Sequence, residues 1–188
     1  MSCIKEIMEF NKKFVEGKQY ESYSSTKYPC KKIAVLSCMD ARLTELLPAA
    51  LNLHNGEAKI IKNAGAVITH PFGSVMRSLL IAVYELEVED IMVIGHHDCG
   101  MQGMKASKLI EKMNSRGIKK ENIDFIKSCG IDINKWLTGF DSAKDSVTDT
   151  VSIIKRHPLM PADVRVHGMV IDPVTGMLEP LNLPDHLA

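Results

Sequence analysis

The stretch Ile91-Met92-Val93-Ile94-Gly95-His96-His97-Asp98-Cys99-Gly100 decides how the rest of the chain is read. Its apolar run has strand length and reads as a short buried strand that stops at Gly95 and presents His96 and Cys99. A second stretch upstream mirrors it: Ile33-Ala34-Val35-Leu36-Ser37-Cys38-Met39-Asp40-Ala41-Arg42, another apolar run that ends in a cysteine. In a doubly wound sheet, functional groups gather where parallel strands end at their carboxyl edge. Two such edges supply Cys38, His96 and Cys99. Three nitrogen and sulfur ligands with a fourth position left open are the pattern of catalytic rather than structural zinc.

Working outward, the remaining pattern is that of an α/β domain with a mostly parallel sheet. Ile4, Ile7, Met8, Phe10, Phe14 and Val15 recur at helical spacing among charges, which predicts an amphipathic N-terminal arm over residues 4–16. Residues 42–51 predict a short helix interrupted near Pro48. Lys59-Ile60-Ile61-Lys62 is a short strand that runs into Asn63-Ala64-Gly65-Ala66, small residues that let backbone approach a ligand. Ser74 is expected to cap a helix carrying Val75, Met76, Leu79, Leu80, Val83 and Leu86, which makes residues 59–95 a strand–helix–strand crossover. Helices are predicted from Gly100 to about Asn114, over 119–128 and over 143–156. Val164 to Ile171 is a further strand. After the Asp172-Pro173-Val174-Thr175-Gly176 turn, Met177 to Leu181 can return as an antiparallel edge. The expectation is one domain over residues 1–188: about four central strands, an antiparallel C-terminal edge strand, helices on both faces and the helical arm.

Composition narrows the function. The 188 residues carry 23 Lys and Arg against 23 Asp and Glu, and a net charge of zero gives no electrostatic case for nucleic acid or an anionic membrane. Lys5, Glu6 and Glu9 stand where a signal peptide needs an apolar region, and no apolar run approaches a membrane span. Five cysteines, an odd count, suggest reduced thiols in the cytosol rather than a disulfide framework. Cys3 and Cys129 read as plain thiols. Cys30 precedes the strand that Cys38 ends, about 26 Å away if the chain between is extended, and cannot share its site. His97 neighbours a ligand but points to the opposite side of its strand. His54 and His70 are candidate proton shuttles, whereas His157, His167 and His186 carry no pattern. Gly95, Gly100 and Gly103 lack the spacing of a nucleotide-binding loop.

Zinc held by two thiolates and a neutral imidazole carries no net charge, so it acidifies a bound water less than a three-histidine site does. Such a centre needs help to hold hydroxide. Asp40, kept ionised by Arg42, can accept the hydroxide's proton as a hydrogen bond and so aim its lone pair at an electrophile. Asp40 can also cap the helix expected after it. Cys99, just before a predicted helix, is expected to gain thiolate character from the amide end of that helix.

These residues resemble a family. Cys38-Met39-Asp40-Ala41-Arg42, then Asn63-Ala64-Gly65, then Gly95-His96-His97-Asp98-Cys99-Gly100 are similar to the motifs of β-class carbonic anhydrases, and the order of strands and helices fits across most of the chain. The resemblance is to the compact subgroup. It implies zinc on Cys38, His96 and Cys99, an Asp40–Arg42 dyad, and reversible hydration of CO2 to bicarbonate. Ala64 and Gly65 then line the substrate pocket. It also implies a homodimer, often a tetramer, with the active cleft between subunits. One regulated subgroup stores inhibitory bicarbonate with a tryptophan and an arginine where this chain has Val35 and Lys62, so that site is not carried over. Two other functions share the pattern: hydrolysis of carbonyl sulfide or carbon disulfide on the same fold, and a zinc-stabilised binding module without turnover.

Overall fold

A computed structural model describes residues 2–183 of the chain; His186 lies outside the described residues. Strands β1 (Ile33–Cys38), β2 (Ala58–Asn63), β3 (Asp90–His96) and β4 (Arg165–Ile171) run parallel, and β5 (Leu178–Pro180) pairs antiparallel with β4. The spatial order is β2-β1-β3-β4-β5, the mostly parallel sheet with an antiparallel edge that the sequence predicts. From β1 the chain first builds β2 on one side and then returns to place β3 on the other. The carboxyl ends of β1 and β3 therefore flank the point where the winding reverses, which is where open α/β sheets place ligands. Pairing sets Ser37 opposite Ile94, so the ends carrying Cys38 and His96 finish within one residue of each other.

Helices α3 (Ser74–Leu86) and α7 (Ala143–Lys155) cover one face. Met76, Leu79 and Ala82 from α3, with Val147, Val151 and Ile154 from α7, bury against Ala34, Leu36, Ile91, Val93, Val166 and Val170. The alternate residues Val35, Ile94 and Ile171 face the other way, beneath Leu43 and Leu47. Those two come from a 3-10 turn over Ala41–Leu43 and from α2 (Leu46–Ala50). The break expected near Pro48 falls earlier, at Thr44 and Glu45, because Pro48 sits in the first turn of α2, where its missing N–H costs nothing. Burial on both faces explains why Ala34, Val35 and Leu36 are apolar without alternation.

Elsewhere the chain departs from its sequence reading. Gly73, not Ser74, holds the N-cap of α3, and no side chain caps that end. Helix α4 (Ala106–Ser115) begins six residues later than Gly100, with turns between. Helix α5 (Lys120–Ser128) follows, and α6 (Ile133–Leu137), too short to show a period, is started by Asp132, whose carboxylate accepts from the Asn134 and Lys135 amides. Helix α1 (Cys3–Glu16) forms as the arm but buries none of its residues. Phe14 rests on Tyr23, ring centroids 6.2 Å apart, while Ile4, Ile7, Met8 and Phe10 face outward. Among the described residues, no helix is long and apolar enough to cross a membrane.

Candidate active site

Cys38 closes β1, His96 closes β3, and Cys99 follows across a turn in which Asp98 takes a left-handed φ of 53°. All three side chains are buried, and their ligand atoms lie within 4.8 Å of one another. Among the described residues this is the one group of three or more such side chains able to hold a metal. The Cys38 and Cys99 sulfurs are 3.9 Å apart. Two thiolates on one tetrahedral zinc sit about 3.8 Å apart, given Zn–S bonds near 2.3 Å. The His96 Nδ1 lies 2.8 Å from the His97 carbonyl oxygen, which can only accept, so Nδ1 carries the proton and Nε2 presents its lone pair. That Nε2 is buried with no hydrogen-bond partner. A buried acceptor left bare beside two thiols fits a cation that the chain itself does not supply.

The helix expected to activate Cys99 starts only at Ala106, so no helix end serves it. Burial instead pushes the Cys99 thiol up to about 11, and the nearby Cys38 adds to the shift. The Met101 amide favours the thiolate against that burial, and a bound cation would favour it further.

Asp40 both caps and pairs. Its Oδ1 accepts from the backbone amide (2.9 Å) and the Nε (3.0 Å) of Arg42, and its Oδ2 accepts from Arg42 Nη2 at 2.9 Å. These bonds, the guanidinium's foremost, hold the Asp40 carboxyl down to about 2. Its Oδ2 stands 3.8 Å from His96 Nε2, so the ionised oxygen faces the space between the ligands. Asp98, which the sequence reading passes over, completes the grip. Its Oδ2 accepts from Arg42 Nη1 at 2.9 Å and its carbonyl from Nη2 at 3.0 Å. Arg42 thereby bridges the loop after β1 and the loop after β3. The one available signal was chemical: between two ligand positions, a left-handed turn favours Asp or Asn.

Gly65 reaches the site by its backbone, its N–H 3.4 Å from the Cys38 sulfur, with φ at +87°. A Cβ there would sit 3.0 Å from Phe140 and 3.2 Å from Met101. Ala64 precedes it in the same 3-10 turn. Lys62 turns aside to donate to the Leu43 carbonyl at 2.9 Å. His97 stays out of the cluster, its Nε2 3.4 Å from Glu179 on β5. Cys3, Cys30 and Cys129 are exposed free thiols. His70 accepts from the Phe72 amide in its own exposed turn, and the His54 backbone donates to Glu57; neither joins the group.

Comparison with known proteins follows the same residues. A family model described as carbonic anhydrase matches residues 33–178. YtiB of Bacillus subtilis, whose carbonic anhydrase name is itself provisional, is 56% identical over 179 residues, covering 95% of this chain and 96% of YtiB. The crystal structure of β-carbonic anhydrase isoform I from Trichomonas vaginalis superposes with a TM-score of 0.88 at 34% identity, covering 96% of this chain and 97% of that one. A carbon disulfide hydrolase of an Acidianus strain is 29% identical over 164 residues, 81% of this chain and 78% of its own.

Proposed function

The chain belongs to the β-class carbonic anhydrase family, and on that premise we propose that it is a zinc lyase that reversibly hydrates CO2 to bicarbonate and a proton. One observation carries the reading: Cys38, His96 and Cys99 converge with the His96 Nε2 bare, directly beside a carboxylate that Arg42 keeps ionised. These three side chains would hold one zinc per chain. Bound there, zinc would supply Lewis-acid polarisation of a water.

The rest of the chemistry falls to the protein. Asp40 accepts a hydrogen bond from the attacking water and thereby fixes which lone pair faces the substrate. Arg42 keeps that oxygen in place, and Asp98 keeps Arg42 in place. His96 is held in one tautomer by the His97 carbonyl. Gly65 and Ala64 supply a wall with little side chain, on which a small linear substrate can lie. Water and CO2 combine, bicarbonate leaves, and the released proton passes to solvent.

The outward-facing apolar residues of α1 support a homodimer or a dimer of dimers, in which a second copy covers them. A cytoplasmic location and a single zinc-binding domain agree with the reduced cysteines. Carbon disulfide hydrolysis is the second reading, supported by the Acidianus relative. A non-catalytic zinc module has no use for the Asp40–Arg42 arrangement, and structural zinc normally takes four protein ligands. Metal content and initial rates on purified protein, with CO2, carbonyl sulfide and carbon disulfide side by side, decide the matter. Stoichiometric zinc with CO2 hydration alone is expected; faster turnover of carbon disulfide would transfer the assignment.

A further inference from the structure

We infer that Asn63 is a positioning residue: it clamps the turn over Ala64–Ala66 so that the Gly65 amide is aimed at the Cys38 sulfur and draws charge from it. The inference rests on Cys38 being a metal ligand and adds how the fold adjusts that ligand.

Asn63 ends β2 in register with Cys38 at the end of β1, and its carbonyl accepts from the Met39 amide at 2.8 Å. Its side chain then spans the turn. Nδ2 donates to the Val67 carbonyl at 2.6 Å, and Oδ1 accepts from the Val67 amide at 3.1 Å. One side-chain amide therefore satisfies both backbone groups of the residue four positions on, as a neighbouring strand would. The enclosed turn needs that hold. Gly65 and Ala66 both have positive φ, +87° and +56°, and for a non-glycine residue such as Ala66 the left-handed region is strained. Phe140 and Met101 fill the space that a side chain on Gly65 would need. Its amide meets the Cys38 sulfur at 3.4 Å, out of solvent.

The consequence is electronic. An N–H bound to a thiolate is a charge-assisted hydrogen bond, and the density it takes up is no longer donated to the metal. With two thiolates the cation is already neutralised, so even a small withdrawal raises its power to acidify water. Asn63 touches neither substrate nor metal and acts through Gly65 and Cys38.

Spectroscopy separates this role from a merely structural one. In nitrogen-labelled protein loaded with an NMR-active cadmium isotope, the Gly65 amide proton is expected to couple to the cadmium through the Cys38 sulfur. Asn63→Ala should abolish that coupling. In the cobalt(II) form of Asn63→Ala, the sulfur-to-cobalt charge-transfer band should move to longer wavelength. In the zinc form kcat should fall roughly tenfold with KM little changed. The cadmium measurement needs no variant, so it stands even where Asn63→Ala folds poorly. A parent Gly65 amide without coupling overturns the inference and leaves the metal site intact, as does an unmoved band in folded, cobalt-replete Asn63→Ala. A parent protein with no sulfur-to-cobalt band overturns the metal site as well.

Discussion

Both oxygens of Asp40 are engaged by Arg42, and the carboxyl is held at about 2, well below its ordinary value. A lowered pKa means the group stays ionised at any pH where the enzyme works, so Asp40 is not the source of a pH dependence near neutrality. On the proposed reading, any rise of turnover with pH would then belong to a water polarised by the bound zinc. The expected profile climbs across about pH 6 to pH 9, the interval that brackets a zinc-water pKa. Asp40→Asn should keep stoichiometric zinc yet lose roughly 100-fold in kcat, because an amide cannot accept the hydrogen bond in the same ion-paired geometry. Arg42→Ala should lose turnover similarly by releasing Asp40. Stopped-flow CO2 hydration with metal analysis across that interval checks both, and a parent-like profile in Asp40→Asn would reduce Asp40 to a cap. Cys99→Ser should lose metal and activity together, as measured by dialysis and metal content, since the remaining two ligands do not make a three-ligand site.

At the scale of elements, Gly95 is not the strand terminator that its sequence position suggests. Strand β3 continues through it to His96, and a Cβ on Gly95 would lie 2.7 Å from Val147 Cγ2 of α7. Gly168 on β4 faces the same valine, at 3.0 Å from its other methyl. Helix α7 can lie this close to the sheet only because both strands lack a side chain there. Gly95→Ala should therefore destabilise by about 1–3 kcal/mol through overpacking, and pairing it with Val147→Ala should recover part of the loss in a denaturant titration. Asp90 ties the start of β3 to β4, accepting from Arg165 Nε at 2.8 Å and pairing with His167 Nε2 at 2.9 Å. Arg165 above all lowers the Asp90 carboxyl pKa, so the stability it contributes is full above the unfolded value and is lost as pH falls through the folded one. Asp90→Asn should cost on the order of 1 kcal/mol at neutral pH, a gap that closes on acidification. These contacts also mark what a linear reading reaches. The strands, their mostly parallel pairing and the convergence of Cys38, His96 and Cys99 were legible because buried strands write continuous apolar runs; the spatial order was not. The late start of α4, the existence of α6 and the grip of Asp98 and Asn63 were not. Each depends on a partner far away in sequence, on a segment too short to show a period or, for Asn63 and Val67, on a local side-chain clamp that no periodicity records.

For the whole molecule, α1 sets the expectation. Apart from Phe14, which rests on Tyr23, its apolar residues face outward, so its own chain holds it only weakly, and Phe10 is 63% exposed. Sedimentation equilibrium should show a dimer or larger, and Phe10→Asp with Ile7→Asp should shift it towards monomer. A fully active monomer at assay concentration would refute the assembly. The sheet order has a further consequence during synthesis. The ribosome releases Cys38 with β1 and then β2, while β3, which occupies the other flank of β1, emerges afterwards. Until β3 docks, Cys38 is a solitary thiol. A one-residue slip in that docking would swap the side chains of β3 between the two covered faces and carry His96 away from Cys38. Metal capture on the proposed ligands is thus a late step in the birth of the protein, and a quality check on it: the cation is kept only by nascent chains whose central strands have found their correct alignment.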